Sequence, residues 1–178
     1  MTSWRPGDSR ADSASMLRVD QAGEYGATRI YAGQLAVLRR NSPESKLIAR
    51  MAAQEQRHLD RFDQLIAERR VRPTALQPLW NVAGFALGAA TALMSEKAAL
   101  ACTDAIETEI DKHYSQQLSE LGEDDPELAS DISEFRLDEL DHLETARKAG
   151  ATNAFGYPLL TAAIRAGCRM AIELSKRI

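Results

Sequence analysis

The chain has 178 residues, 44% of them hydrophobic and 27% charged, a mix that supports one packed domain rather than a disordered or fibrous chain. A net charge of −4 argues against nucleic acid as a partner. The two cysteines, Cys102 and Cys168, exclude a disulfide framework and have no Cys-x-x-Cys metal spacing.

Residues 1–12 read as a disordered tail without an apolar run, so no secretory leader is expected there. Residues 13–178 read as a single domain of six helices. The first runs from Ser13 to about Arg40 and stops at Asn41-Ser42-Pro43. Ser42 can cap the second, with Pro43 at its first position. That helix continues to about Arg70. The third, Pro78 to Met94, carries no charge and would extend only about 25 Å, against the roughly 30 Å of a bilayer core. It reads either as a buried core helix or as one lying in a membrane interface, with Trp80 and Phe85 dipping in. Gly84 and Gly88 form a GxxxG that suits close helix contact. Ser95 can cap the fourth helix, which runs to about Leu121. Gly122 to Pro126 breaks the chain before a fifth helix that ends near Ala149. Gly156-Tyr157-Pro158 opens the sixth. Four long helices with short connections and no strand alternation make a helical bundle.

The apolar stripe of the second helix runs Leu47, Met51, Glu55, His58, Phe62, Leu65, and that of the fifth runs Leu128, Ile132, Phe135, Glu139, His142, Ala146. A Glu-x-x-His therefore interrupts each core face at helical spacing. The first helix places Glu24 on its stripe and the fourth places Glu107 on its own. Glu24 precedes Glu55 by 31 residues and Glu107 precedes Glu139 by 32, so the chain is an approximate two-fold repeat of a helix pair. Four buried carboxylates need positive charge, and no Lys or Arg lies on these stripes. Two divalent ions would balance four carboxylates. Hard oxygen donors with one imidazole per metal suit iron or manganese. One Glu from each of two helices and Glu-x-x-His from each of two others is the donor pattern of di-metal carboxylate bundles.

Neighbouring residues read as less involved. Tyr114 lies on the ligand stripe and His113 lies off it, and both are candidates for contacting the ligands from outside. Asp138 and Asp141 flank the second motif and could orient its histidine partners. Glu109 reads as solvated, and both cysteines as small core residues. Arg69, Arg70 and Arg72 precede the apolar helix, and Arg165, Arg169, Lys176 and Arg177 lie on the sixth. These basic clusters suit lipid phosphates.

The stretches RVDQAGEYGATRIYAGQLAVL (18–38), RVRPTALQPLWNVAGFALGAATAL (70–93), ACTDAIETEIDKHY (101–114) and AGCRMAIELSKRI (166–178) resemble the demethoxyubiquinone hydroxylases of ubiquinone biosynthesis. The resemblance covers nearly everything after Met16. It implies an all-α, ferritin-like four-helix bundle with two additional, membrane-facing helices. It also implies two iron ions per chain on Glu24, Glu55, His58, Glu107, Glu139 and His142. The expected reaction is hydroxylation of a polyprenylated demethoxyubiquinol with dioxygen and electrons derived from NADH, although no dinucleotide-binding motif is present. The expected partners are the quinone, a membrane surface, and a second copy of the chain or a biosynthetic-complex protein. The expected location is peripheral, on the cytoplasmic face of a bacterial inner membrane, with the matrix side of a mitochondrial inner membrane as the alternative. Iron oxidation or storage, or peroxide scavenging at a di-manganese site, are the competing activities on such a bundle.

Overall fold

A computed structural model describes residues 11–177. Six helices follow one another: α1 (Ser13–Val37), α2 (Pro43–Arg69), α3 (Gln77–Met94), α4 (Glu96–Leu121), α5 (Pro126–Lys148) and α6 (Tyr157–Ser175), with one 3-10 turn at Ala151–Asn153. No strand occurs among the described residues. The first ten residues of the expected tail lie outside the described residues. Asp12, the last residue of that tail, caps α1 by accepting from the Ser15 amide at 3.0 Å.

The caps follow the side chains. Ser42 accepts from the Ser45 amide, with Pro43 opening α2, and Ser95 accepts from the Ala98 amide to open α4. Asp125, not anticipated as a cap, does the same for α5 through the Leu128 amide. α1 ends at Val37 rather than near Arg40. Leu38 turns to extended backbone to bury its side chain, and Asn41 adopts a left-handed φ of 64° that delivers Ser42 to its cap.

α1, α2, α4 and α5 form the bundle, and their apolar faces meet in two clusters. One gathers Leu17, Phe62, Leu65, Ile106, Tyr114, Leu128 and Ile132. The other gathers Tyr31, Ile48, Met51, Ala99, Leu100 and Ala146. Between the clusters lie the polar residues of the four stripes.

α3 and α6 lie outside the bundle, against α1 and α4. α3 is not a buried core helix: only Gly84, Gly88, Thr91 and Ala92 are buried. Its GxxxG presses directly on α1. A Cβ on Gly88 would stand 1.9 Å from the Ile30 carbonyl oxygen, and one on Gly33 would stand 2.2 Å from that of Phe85. The opposite face leaves Val82 and Leu93 more than two-thirds exposed, at 70% and 74%.

α6 is tied down along its length. Tyr157 donates to the buried Asp104, which Arg147 also pairs at 3.0 Å. Arg169 pairs with Glu109 at 3.2 Å, and Trp80 Nε1 donates to Ser175 Oγ at 3.1 Å. Glu109 is thus not solvated as the spacing suggests. It is 4% exposed and neutralised by Arg169 and Lys112, because α6 covers the face of α4 that would otherwise meet water.

Candidate metal centre

Glu24 on α1, Glu55 and His58 on α2, Glu107 on α4, and Glu139 and His142 on α5 converge between the two core clusters, each no more than 2% exposed. Their donor atoms fall into two groups: Glu24, Glu55, His58 and Glu139, and Glu55, Glu107, Glu139 and His142. Within each group the atoms lie within 4.8 Å of one another, and Glu55 and Glu139 belong to both. One imidazole and three carboxylates per group is a donor set that could hold iron or manganese.

The histidines are oriented for this. His58 Nε2 donates to Asp138 at 3.0 Å, and His142 Nε2 donates to the Gln54 side-chain oxygen at 3.1 Å. That fixes the proton on Nε2 and turns Nδ1 inward. His58 Nδ1 lies 3.2 Å from Glu139 Oε1 and 3.6 Å from Glu24 Oε2, and His142 Nδ1 lies 3.0 Å from Glu55 Oε1. Phe135 stacks on the His58 ring at 4.1 Å and holds its plane.

The electrostatics favour a cation. Glu24 Oε2, Glu55 Oε1, both Glu139 oxygens and both histidine Nδ1 atoms are buried without a hydrogen-bond partner. Such atoms are costly unless something positive meets them. Burial and the neighbouring Glu139 push Glu55 and Glu107 well above the usual carboxylate range, and burial raises Glu139 as well. Burial opposes charge on His58, but Glu139 and Glu24 outweigh it and push the imidazole up to about 10. Burial would also raise Glu24, yet His58 holds it below its ordinary value. Protons and a divalent ion thus compete for the same atoms.

Tyrosines cross between the halves. Tyr31 donates to Glu107 Oε1 at 2.8 Å, and Tyr114 donates to Glu24 Oε1. Burial, and then the adjacent glutamate, keep both phenols protonated well above the ordinary tyrosine range.

A cavity of about 550 Å³ lies between α1, α3, α4 and α6. Its lining is apolar and includes Gly23, Ala27, Ile106, Ile110, Trp80 and Ile164. Gly23 directly precedes Glu24 and Ile106 directly precedes Glu107, so one wall backs onto the cluster.

The family model for ubiquinone biosynthesis protein COQ7 matches residues 11–175. The chain belongs to the COQ7 family. It is 55% identical over 162 residues to the 3-demethoxyubiquinol 3-hydroxylase of Rhodospirillum rubrum, covering 91% of this chain and 76% of that protein. It is 50% identical over 174 residues to the human mitochondrial protein named NADPH-dependent 3-demethoxyubiquinone 3-hydroxylase, covering 96% of this chain and 80% of that one. The 5-demethoxyubiquinone hydroxylase of Saccharomyces cerevisiae mitochondria is 44% identical over 179 residues, covering 92% and 77%. All three names describe hydroxylases, so this COQ7 chain is a member of a hydroxylase family.

Of the residues singled out in the sequence, all six stripe donors come together in this COQ7 chain, and Tyr114 touches one of them. His113 does not: it pairs with the buried Asp20 at 3.2 Å. Trp80 lines the cavity, whereas Phe85 stacks under Arg29 at 5.4 Å and is 37% exposed. Asp138 orients a histidine as its position suggested, but Asp141 is exposed and Gln54 takes the equivalent place on the other half. Neither Gln54 nor Tyr31 was singled out in the sequence. Both had a signal. Gln54 and Asp138 each immediately precede a motif glutamate, and Tyr31 and Tyr114 each follow their helix's glutamate by seven residues.

Proposed function

We propose that this chain hydroxylates the ring of a polyprenylated demethoxyubiquinol in ubiquinone biosynthesis, as a di-iron monooxygenase using dioxygen and electrons derived from NADH. The observation that carries the reading is the apolar cavity backing onto the buried glutamate–histidine cluster, in a chain half identical to named hydroxylases of this quinone. Iron storage would leave that cavity without a role. The human relative's name makes NADPH the alternative reductant.

In this reading Glu24, Glu55, His58, Glu107, Glu139 and His142 would hold the two metals, Glu55 and Glu139 belonging to both donor groups. Iron bound there supplies the redox chemistry with dioxygen that ring hydroxylation needs. The protein contributes order and dryness. Asp138 and Gln54 hold each imidazole in one tautomer. Tyr31 and Tyr114 hold Glu107 and Glu24 by one oxygen each. Ile106, Ile110 and Ile164 keep bulk water out of the wall beside the cluster. The cavity receives the quinone ring, and its tail leaves between α3 and α6 past Trp80.

No helix among the described residues is long and apolar enough to cross a membrane. The exposed Leu79, Val82, Leu93 and Met94 of α3, with Leu159 and Met170 of α6, would instead rest on the lipid from which the tail comes. The mitochondrial names of several relatives suit an inner-membrane site, and a bacterial inner membrane suits the relative from Rhodospirillum rubrum.

The test is single-turnover hydroxylation of demethoxyubiquinone by protein loaded with Fe(II), beside the same protein loaded with Zn(II). Product with iron alone supports the reading. Product with zinc, or ferroxidase activity without quinone product, overturns it.

A further inference from the structure

The two halves of the glutamate–histidine cluster carry matching parts. Glu24 and Glu107 are each held by a tyrosine of the other's helix. Glu55 and Glu139 belong to both donor groups. Each half contributes one imidazole that presents Nδ1 inward. The halves differ in what stands behind that imidazole. His58 Nε2 donates to a carboxylate oxygen, Asp138 Oδ2, at 3.0 Å. His142 Nε2 donates to an amide oxygen, Gln54 Oε1, at 3.1 Å. The two lengths are alike, so each ring is oriented. Only the charge of the acceptor differs.

That difference reaches the metal side of the ring. A carboxylate accepting from Nε2–H makes the imidazole more basic and Nδ1 a stronger donor to a metal. A hydrogen bond to a neutral amide is about half as strong as one to a charged group, and does this less. Two other charges lie nearby, and neither cancels the effect. Arg57 Nη2 is 3.7 Å from Asp138 Oδ2, but Arg57 is 65% exposed, and solvent screens its charge more than it weakens a direct hydrogen bond. Asp141, beside His142, is exposed and acts on Lys148, so it supplies no carboxylate behind the second ring. Phe135 adds to the asymmetry by stacking on His58 at 4.1 Å, so that ring has less freedom to lose when it binds.

We propose that the two metal positions are inequivalent and fill in order: the Glu24–His58 position, backed by Asp138, binds first and more tightly, and the Glu107–His142 position, backed by Gln54, binds second and stays exchangeable. The inference rests on the two-metal reading of the cluster and not on the quinone. Asp138 is a positioning residue that acts through His58. Chemistry that needs both ions then follows the occupancy of the His142 position. At limiting metal the chain holds one ion, at His58, and is idle.

The experiment is titration of the metal-free full chain with Co(II), read by calorimetry and by the paramagnetically shifted NMR resonances of the two buried Nε2 protons. In the parent the first equivalent should bring up one shifted proton and the second equivalent the other, the first step being at least about tenfold tighter. Asp138→Asn keeps a hydrogen-bond acceptor and removes the charge. It should weaken the first step about five- to tenfold and let both protons appear together. Gln54→Glu supplies the missing carboxylate, and should also bring the protons up together, but without weakening the first step. Metal-free Asp138→Asn should melt with the metal-free parent, which separates loss of the charge from loss of the fold.

Two shifted protons growing together in the parent overturn the order of filling. So does an Asp138→Asn variant whose first step is unchanged. A first proton that moves with Gln54→Glu but not with Asp138→Asn also overturns it, since His142 would then fill first. Failure of the two-metal reading itself looks different: the parent would take up fewer than two ions, and the order of filling falls with it.

Discussion

The Tyr31 hydroxyl of α1 donates to Glu107 Oε1 of α4 at 2.8 Å. Tyr114 of α4 returns the same bond to Glu24 of α1. Each tyrosine follows its own helix's glutamate by seven residues, so the repeated helix pair is stitched to itself by reciprocal hydrogen bonds. On Glu24 the bond leaves Oε2 to face the cluster, 3.6 Å from His58 Nδ1.

These tyrosines therefore act through the glutamates. Tyr31→Phe keeps the ring and removes the donor, leaving a buried carboxylate oxygen unpaired. Metal affinity should fall about 10- to 100-fold, measured by anaerobic Fe(II) titration. The fold should survive, since the aromatic packing is retained. Tyr114→Phe should behave alike. Unchanged iron affinity in both would remove the tyrosines from the site.

Metal removal should destabilise the protein. Four carboxylates face one another in the core, and only protons or cations relieve them. Binding to the native state alone adds about 4 kcal/mol at a thousandfold excess over Kd. Chelation should therefore lower the melting temperature by several degrees, and Fe(II) or Mn(II) should restore it. Glu139→Ala removes one of the crowded carboxylates. Its metal-free form should melt at or above the metal-free parent, and added metal should no longer raise it as far.

Much of this was legible in the sequence, and the reason is periodicity. Glu55, His58, Glu139 and His142 interrupt otherwise apolar stripes, so their convergence follows from helix geometry alone. Ser42, Pro43 and Ser95 announced helix starts for the same local reason. What failed depended on which helix covers which face. Glu109 lies off the ligand stripe, and only the placement of α6, with Arg169, makes it a buried ion pair. α3 stayed open between core and interface for the same reason, since only its packing shows that Gly84 and Gly88 press on α1 while Val82 and Leu93 stay outside. Gln54 escaped notice because an amide carries no charge pattern, although it does for His142 what Asp138 does for His58.

A pH effect is expected away from the metals. Arg69 pairs with Asp125 and, at 2.8 Å, with Glu127, tying α2 to the start of α5. Partial burial would raise Asp125, but Arg69 and the Leu128 amide outweigh it and hold the carboxyl below its ordinary value of 3.8. A lowered carboxylate contributes stability above its unfolded value and loses it as pH falls through the folded value. Asp125→Asn keeps the cap and removes the charge. Urea unfolding should show the variant less stable by about 0.5–1.5 kcal/mol at pH 7, with the gap closing below about pH 3.8. A gap independent of pH would assign the effect to packing.

Membrane attachment should reside in the outer faces of α3 and α6. Val82 is 70% exposed and Met170 is 60% exposed, so Val82→Asp and Met170→Asp should leave folding and iron content intact. Co-sedimentation with anionic phospholipid vesicles should drop at least about tenfold in the double variant, because a charge at the interface opposes insertion. Full retention on vesicles would place the lipid contact elsewhere.

In the proposed reaction the buried cluster hydroxylates a quinol ring held beside it. The direct measurement is mass spectrometry of demethoxyubiquinone after incubation with iron-loaded protein, NADH and ¹⁸O-labelled dioxygen, beside Glu139→Ala. One labelled oxygen atom is expected in the product of the parent protein and none with the variant. An unmodified quinone from fully iron-loaded protein supplied with reductant, or equal product from Glu139→Ala, would contradict it.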